Sequence, residues 1–158
     1  RMNKFNHLWI CMIENKRRQF ISLKDIKLSS LKRIGNENGD VLHILRNDDS
    51  AYKKFGEAYF TSIKFNKIKA WKKHNKMCMN LVVPSGSVKF VFFLEKKGTF
   101  REEIIGENRY ARLTVPPGVW FGFKGMDNAN NLILNISSIL HDPKETDICG
   151  LDEIGYEW

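Results

Sequence analysis

Turn signals recur along this chain at intervals of roughly ten residues, which leaves room between them for short strands and little else. They read "GNENGD" (35–40), "RNDDS" (46–50), "VPSGS" (83–87), "EKKGT" (95–99), "IGEN" (105–108), "VPPGV" (115–119), "GMDNANN" (125–131) and "HDPKE" (141–145). The runs between them are rich in Val, Ile, Phe and Tyr, and several alternate. In "SVKFVFFL" (87–94), Val88, Phe90, Phe92 and Leu94 share one face while Val91 and Phe93 share the other. Both faces need cover, so this strand belongs in the interior of a sheet. "NLILNIS" (131–137) sets Leu132, Leu134 and Ile136 against Asn131, Ile133 and Asn135, and "RYARLTV" (109–115) sets Ala111, Leu113 and Val115 against Tyr110, Arg112 and Thr114. Only "SLKDIKLSSLKRI" (22–34) is compatible with a short helix, and its spacing is ambiguous. The pattern predicts an all-β sandwich or barrel, and 158 residues suit a single domain with a sizeable core.

Charge narrows the partners. A net charge of +8 favours anionic ones: nucleic acid, phosphorylated small molecules or acidic lipid. Residues 64–76 hold six lysines and no acid, whereas residues 142–158 hold six acids and one lysine. The basic stretch is no solvated tail, because Phe65, Ile68, Ala70 and Trp71 are interleaved with its lysines. As an extended strand, "IKAWKKH" puts Ile68, Ala70, Lys72 and His74 on one face and Lys69, Trp71 and Lys73 on the other. Three readings stay open: an edge strand guarded by lysine against aggregation, a ligand-facing strand, or a nucleic-acid surface with no motif behind it. Cys11, Cys78 and Cys149 are far apart and never spaced as a pair, so neither a disulfide framework nor a zinc knuckle is expected. The "LWICMI" run (8–13) is too short to span a bilayer and has no small-residue cleavage site after it. Neither membrane contact nor export is expected, and the thiols suit the cytoplasm.

Two segments stand out together. One is "GEAYFTSIKFNKIKAWKKH" followed by "NLVVPSGSVKFVFF"; the other is "YARLTVPPGVWFGFKG" followed by "NLILNISSILHDPKE". Pro116-Pro117-Gly118 makes a tight turn, since proline fixes φ and glycine permits positive φ. This pairing resembles the cupin superfamily, and more closely the dTDP-4-dehydrorhamnose 3,5-epimerase family (RmlC-like). The resemblance runs from about Lys24 to Trp158 and rests on "GDVLHILR", "FGEAYF", "IKAWKKH", "SGSVKFVFF", "TVPPGVWFGF", "HDPKE" and "IGYEW", leaving residues 1–23 as an N-terminal extension. It implies a jelly roll, the double-stranded β-helix of cupins.

The resemblance also implies a site, from which this sequence departs. Where the family carries an Arg-Gly-Leu-His type motif, the chain reads Lys69-Ala70-Trp71-Lys72, with His74 two residues on. Lys72 and His74 are therefore the candidate catalytic residues. His74 has a suitable intrinsic pKa for a base, and Lys72 would need a tuned pocket. The family's aspartate partner falls at Leu94, beside Glu95; its "HGF" becomes Phe121-Gly122-Phe123; its acid tyrosine aligns with Asn135; and an early arginine is Asn38. For the phosphates of a nucleotide, Arg46, Lys69, Lys72, Arg109 and Arg112 are candidates. For stacking on a base the candidates are Tyr59, Trp71, Tyr110 and Trp120, with core roles equally open to the two tryptophans. Asn135 completes the expected substrate-binding set. One imidazole is not a metal site, so no metal and no cofactor is expected.

The expected function is that of a nucleotide-sugar epimerase or a similar enzyme, acting on a 4-keto-deoxysugar nucleotide for surface polysaccharide. The alternative is a cupin that binds a sugar nucleotide or carbohydrate without catalysis. A homodimer is expected, from the resemblance and from the need to cover both faces of residues 87–94.

Overall fold

The computed structural model describes residues 21–158, and the "LWICMI" run and Cys11 lie outside the described residues. The strands are β1 (Lys27–Ser30), β2 (Arg33–Ile34), β3 (Val41–Leu42), β4 (Glu57–Ile63), β5 (Ile68–His74), β6 (Met79–Ser85), β7 (Ser87–Leu94), β8 (Thr99–Gly106), β9 (Ala111–Val115), β10 (Trp120–Gly125), β11 (Asn131–Ser137) and β12 (Thr146–Ile148). Helix is confined, among the described residues, to single 3₁₀ turns. Two five-stranded antiparallel sheets have the orders β1-β9-β6-β11-β4 and β12-β5-β10-β7-β8, and β2 and β3 form a separate ribbon. From β9 onward the chain alternates between the two sheets strand by strand, which is the jelly roll that turn spacing and resemblance both predict.

The core lies between the sheets. Leu81 and Val83 of β6 and Leu113 and Val115 of β9 meet Val88, Phe90 and Phe92 of β7 and Phe121 of β10. The turns that allow this need left-handed backbone at Gly86, between β6 and β7, and at Gly118, between β9 and β10. The 22–34 stretch is helical for one turn only. Ser22 caps Leu23–Asp25, and Leu28 then pairs with Leu113 as β1 joins β9. Sheet pairing outweighs a helical period that is weak and short.

β7 is interior, between β10 and β8, as its two apolar faces predict. The cover on its outer face comes from the chain itself. Val91, Trp71 and Trp120 form a second cluster with Ile154, and Phe93, Phe100, Tyr156 and Trp158 pack against it. The two-faced strand therefore makes no demand for a partner subunit. Trp71 and Trp120 are 1% and 7% exposed, so both are core residues rather than stacking platforms. The tail presses close: a Cβ on Gly122 would come within 2.5 Å of Ala70 Cβ and 2.8 Å of the Trp158 ring. Gly122→Ala should cost about 1–3 kcal/mol through overpacking. A lower denaturant midpoint at unchanged slope would register this, and a parent-like midpoint would mean that the tail yields.

Candidate active site

β5 is the strand that builds the site, and it is flanked on both sides, by β10 and β12. The reading of residues 68–74 as a guarded edge strand is thereby corrected. The acidic C-terminal stretch folds back on the basic one, pairing Thr146 with His74, Asp147 with Lys73 and Ile148 with Lys72. β5 also departs from simple alternation. Phe121 lies opposite Lys72, but Phe123 lies opposite Lys69, so three residues of β5 match two of β10. This bulge reverses the face of everything before it. Lys69 joins Lys72 and His74 on the cavity side, contrary to the face that strict alternation assigns it. Lys73 stays on the outer face, 3.0 Å from Asp147 and 4.7 Å above the Trp120 ring.

The cavity has a volume of about 310 Å³ and opens between the two sheets. Apolar side chains such as Met79, Leu81, Phe90 and Phe121 line its floor, with few polar groups converging on it. His74 is 2% exposed and stacks on Phe121, with ring centroids 6.0 Å apart. Its carbonyl accepts a 2.6 Å hydrogen bond from the Gly118 N–H, so the Pro-Pro-Gly turn braces the end of the strand.

Glu145 completes the pair. Its Oε1 is hydrogen-bonded to His74 Nδ1. Its Oε2 accepts from the backbone N–H groups of Asn75 (3.1 Å), Lys76 (2.8 Å) and Met77 (3.2 Å). A carboxylate only accepts, so His74 carries its proton on Nδ1 and keeps the Nε2 lone pair available. Burial pulls the His74 pKa below its ordinary value; Glu145 opposes that pull, and the Lys72 cation adds to it. Burial acts to raise the pKa of Glu145, but the bonds from His74, Lys76 and Met77 hold it below the carboxylate norm. At neutral pH the arrangement is a neutral imidazole backed by an anion, which is what a general base needs.

Of the residues named from the sequence, Tyr59, Lys69, Lys72, His74 and Asn135 line this cavity together. The other four do not line it. Arg46 is bound to Asp48 on an exposed loop, with an Nη2–Oδ2 distance of 2.7 Å. Arg109 lies at a turn, 3.1 Å from Glu103. Tyr110 donates to the His43 carbonyl at 3.0 Å, and Arg112 donates to the Ile44 carbonyl at 2.6 Å and to Asp49 at 2.9 Å. These two pin residues 43–49 against β9. The partner expected near Leu94 and Glu95 is elsewhere: Glu95 accepts from the Trp120 indole on the outer face. Glu145 was missed as a site residue although "HDPKE" stood out. The available signal was the turn itself, in which Asp142 caps Pro143–Glu145 and so aims Glu145 inward. Among the described residues, no group of three or more His, Cys, Asp and Glu is placed to hold a metal ion.

Comparison with known proteins follows this geometry. No protein-family model matches the chain. A dTDP sugar isomerase from Desulfovibrio desulfuricans is 32% identical and superposes with a TM-score of 0.80, over 84% of this chain and 90% of the other. A probable low-salt glycan biosynthesis epimerase of Haloferax volcanii is 22% identical over 133 residues, 80% of this chain and 85% of the relative. A spore coat polysaccharide biosynthesis protein of Bacillus subtilis is 24% identical over 142 residues, 84% of this chain and 94% of the relative. With that fold, a histidine–glutamate pair facing the cavity and this identity across nearly the whole sugar isomerase, the chain belongs to the RmlC-like cupin family of dTDP-sugar isomerases and epimerases.

Proposed function

We propose that this protein is a nucleotide-sugar epimerase or isomerase that acts on a 4-keto-deoxysugar nucleotide and serves the synthesis of surface polysaccharide. The observation that carries the reading is the buried His74–Glu145 pair, which leaves one basic nitrogen at a cavity otherwise mostly apolar. The names of the relatives, a dTDP sugar isomerase and two proteins of glycan or polysaccharide biosynthesis, support the substrate class.

The chemistry follows from the groups present. His74 Nε2 takes the proton from the carbon beside the ketone. The C–H electrons form a C=C bond, and the carbonyl oxygen becomes an enolate. Lys72 and Lys69 place cations at the same cavity, where the enolate or a phosphate needs one. Return of a proton to either face of that carbon, or to the neighbouring one, completes epimerisation or isomerisation. Solvent deuterium exchange into a 4-keto sugar nucleotide, followed by NMR, tests the reading; binding without exchange across a panel of such sugars would favour the non-catalytic alternative.

Lys72→Met should weaken binding of the sugar nucleotide roughly ten- to a hundredfold, since one charge-assisted hydrogen bond is lost. Calorimetric titration measures it, and parent-like affinity would remove Lys72 from the site. The reading assigns the activity to one domain, residues 24–158, working without metal or other cofactor. It also assigns the chain to the cytoplasm, where its substrates are made. No helix among the described residues is long and apolar enough to cross a membrane. A homodimer fits the family, and light scattering at micromolar concentration decides it.

A further inference from the structure

The wall built by β4 and β11 carries a second polar pair. Tyr59 and Asn135 are cross-strand partners in the register of these strands. Asn135 Nδ2 donates to the Tyr59 hydroxyl oxygen at 3.0 Å. Asn135 is 3% exposed, and its Oδ1 is buried without a protein donor. Both residues line the cavity that holds His74, Lys69 and Lys72.

Two free valences follow from this bond. An amide oxygen only accepts, and a buried acceptor without a donor is costly, so Oδ1 calls for an O–H or N–H from whatever occupies the cavity. The Tyr59 oxygen already accepts from Nδ2, which leaves its hydrogen free to donate. The wall therefore presents an acceptor and a donor next to each other. A ligand that satisfies both has a hydroxyl beside a carbonyl. A simple ketone satisfies only the donor and leaves Oδ1 unpaired.

Resting on the sugar-nucleotide reading above, we propose that Asn135 is a specificity-determining residue: its Oδ1 accepts from a hydroxyl on the carbon next to the ketone, while Tyr59 donates to the ketone oxygen. The substrate class narrows to α-hydroxy ketones. Removal of the proton from the hydroxyl-bearing carbon then gives an enediolate, the species common to epimerisation at that carbon and to migration of the carbonyl onto it.

The test is a binding measurement, so it does not depend on turnover. Two 4-keto-6-deoxy sugar nucleotides are titrated into the intact protein by calorimetry, one with a 3-hydroxyl and one lacking it. The parent should prefer the hydroxylated ligand by roughly ten- to a hundredfold, the cost of an unpaired buried acceptor. Asn135→Leu should bring the ratio close to one by weakening only the hydroxylated ligand. Tyr59→Phe should weaken both ligands alike and leave the ratio in place. Equal affinity of the two ligands for the parent overturns the proposal even if the leucine variant does not fold. A preference that survives Asn135→Leu overturns it too. If neither ligand binds the parent, the sugar-nucleotide reading itself fails, which separates that failure from this one.

Discussion

His74→Asn abolishes deuterium exchange at the carbon beside the ketone, lowering its rate by about 10²–10⁴-fold, while affinity for the sugar nucleotide stays within a few-fold. The side chain that remains has no nitrogen lone pair to take a proton, but the phosphate-facing cations are untouched. NMR in deuterated buffer measures the exchange, and calorimetry measures the binding. Unchanged exchange would move the base elsewhere, with Lys72 the next candidate. The pH profile of the parent provides an independent check. Burial holds the pKa of His74 below its ordinary value, so the imidazole stays neutral, and able to accept, to a lower pH than a free one. The exchange rate should hold steady from neutrality down past about 6.5, the ordinary imidazole value, and fall only below it. A Lys72 base predicts the reverse, with exchange rising as the pH climbs and the lysine loses its proton.

Glu145→Gln is the sharper experiment, because it keeps the shape and reverses one proton. The three backbone N–H groups of Asn75, Lys76 and Met77 need an oxygen, so the glutamine turns its Oε1 toward them. Its NH₂ then faces His74 Nδ1. The imidazole can satisfy that donor only by moving its proton to Nε2, which puts an N–H where the cavity needs a lone pair. A comparable carboxylate-to-amide change in a serine protease triad costs about 10⁴ in rate with geometry intact, so a loss of about 10³–10⁴ is expected here. Sugar-nucleotide affinity should barely move. Stability should fall by about 1.5–3 kcal/mol, the worth of a charge-assisted hydrogen bond. The sign of its pH dependence follows from the lowered pKa of Glu145. The unfolded chain takes up this proton more readily than the native one, so the parent's advantage is complete above the ordinary carboxylate range and disappears as pH falls through and below it. Parent-like exchange in the glutamine variant would reduce Glu145 to a structural brace for the 75–77 turn.

Much of the frame was legible along the chain. β7 and β11 occupy the residues whose alternation marks them, 87–94 and 131–137. The glycines of the "PSG" and "PPG" turns take the positive φ that those turns require. His74, Lys72, Lys69, Tyr59 and Asn135 could be named because the chemistry of a basic, aromatic-laced strand and the resemblance both point to them, and one cavity gathers them all. The charge asymmetry was visible too, six lysines in 64–76 against six acids in 142–158.

What the sequence by itself determined is therefore the local part: short alternating strands, tight turns and a histidine among lysines, each set by nearest neighbours and a period of two. Three matters were left to the tertiary structure. A bulge in β5 put Lys69 on the side of His74, and a bulge changes parity without leaving a mark in the pattern of polar and apolar residues. Arg112 and Tyr110 were spent on backbone carbonyls of residues 43 and 44 rather than on a ligand, because a cation or phenol on a sheet face binds whichever acceptor folds over it. And Glu145 met His74 across 71 residues of chain, a contact made only when β12 docks on β5. Alternation says which side a residue faces; only the packing of distant strands says what it faces there.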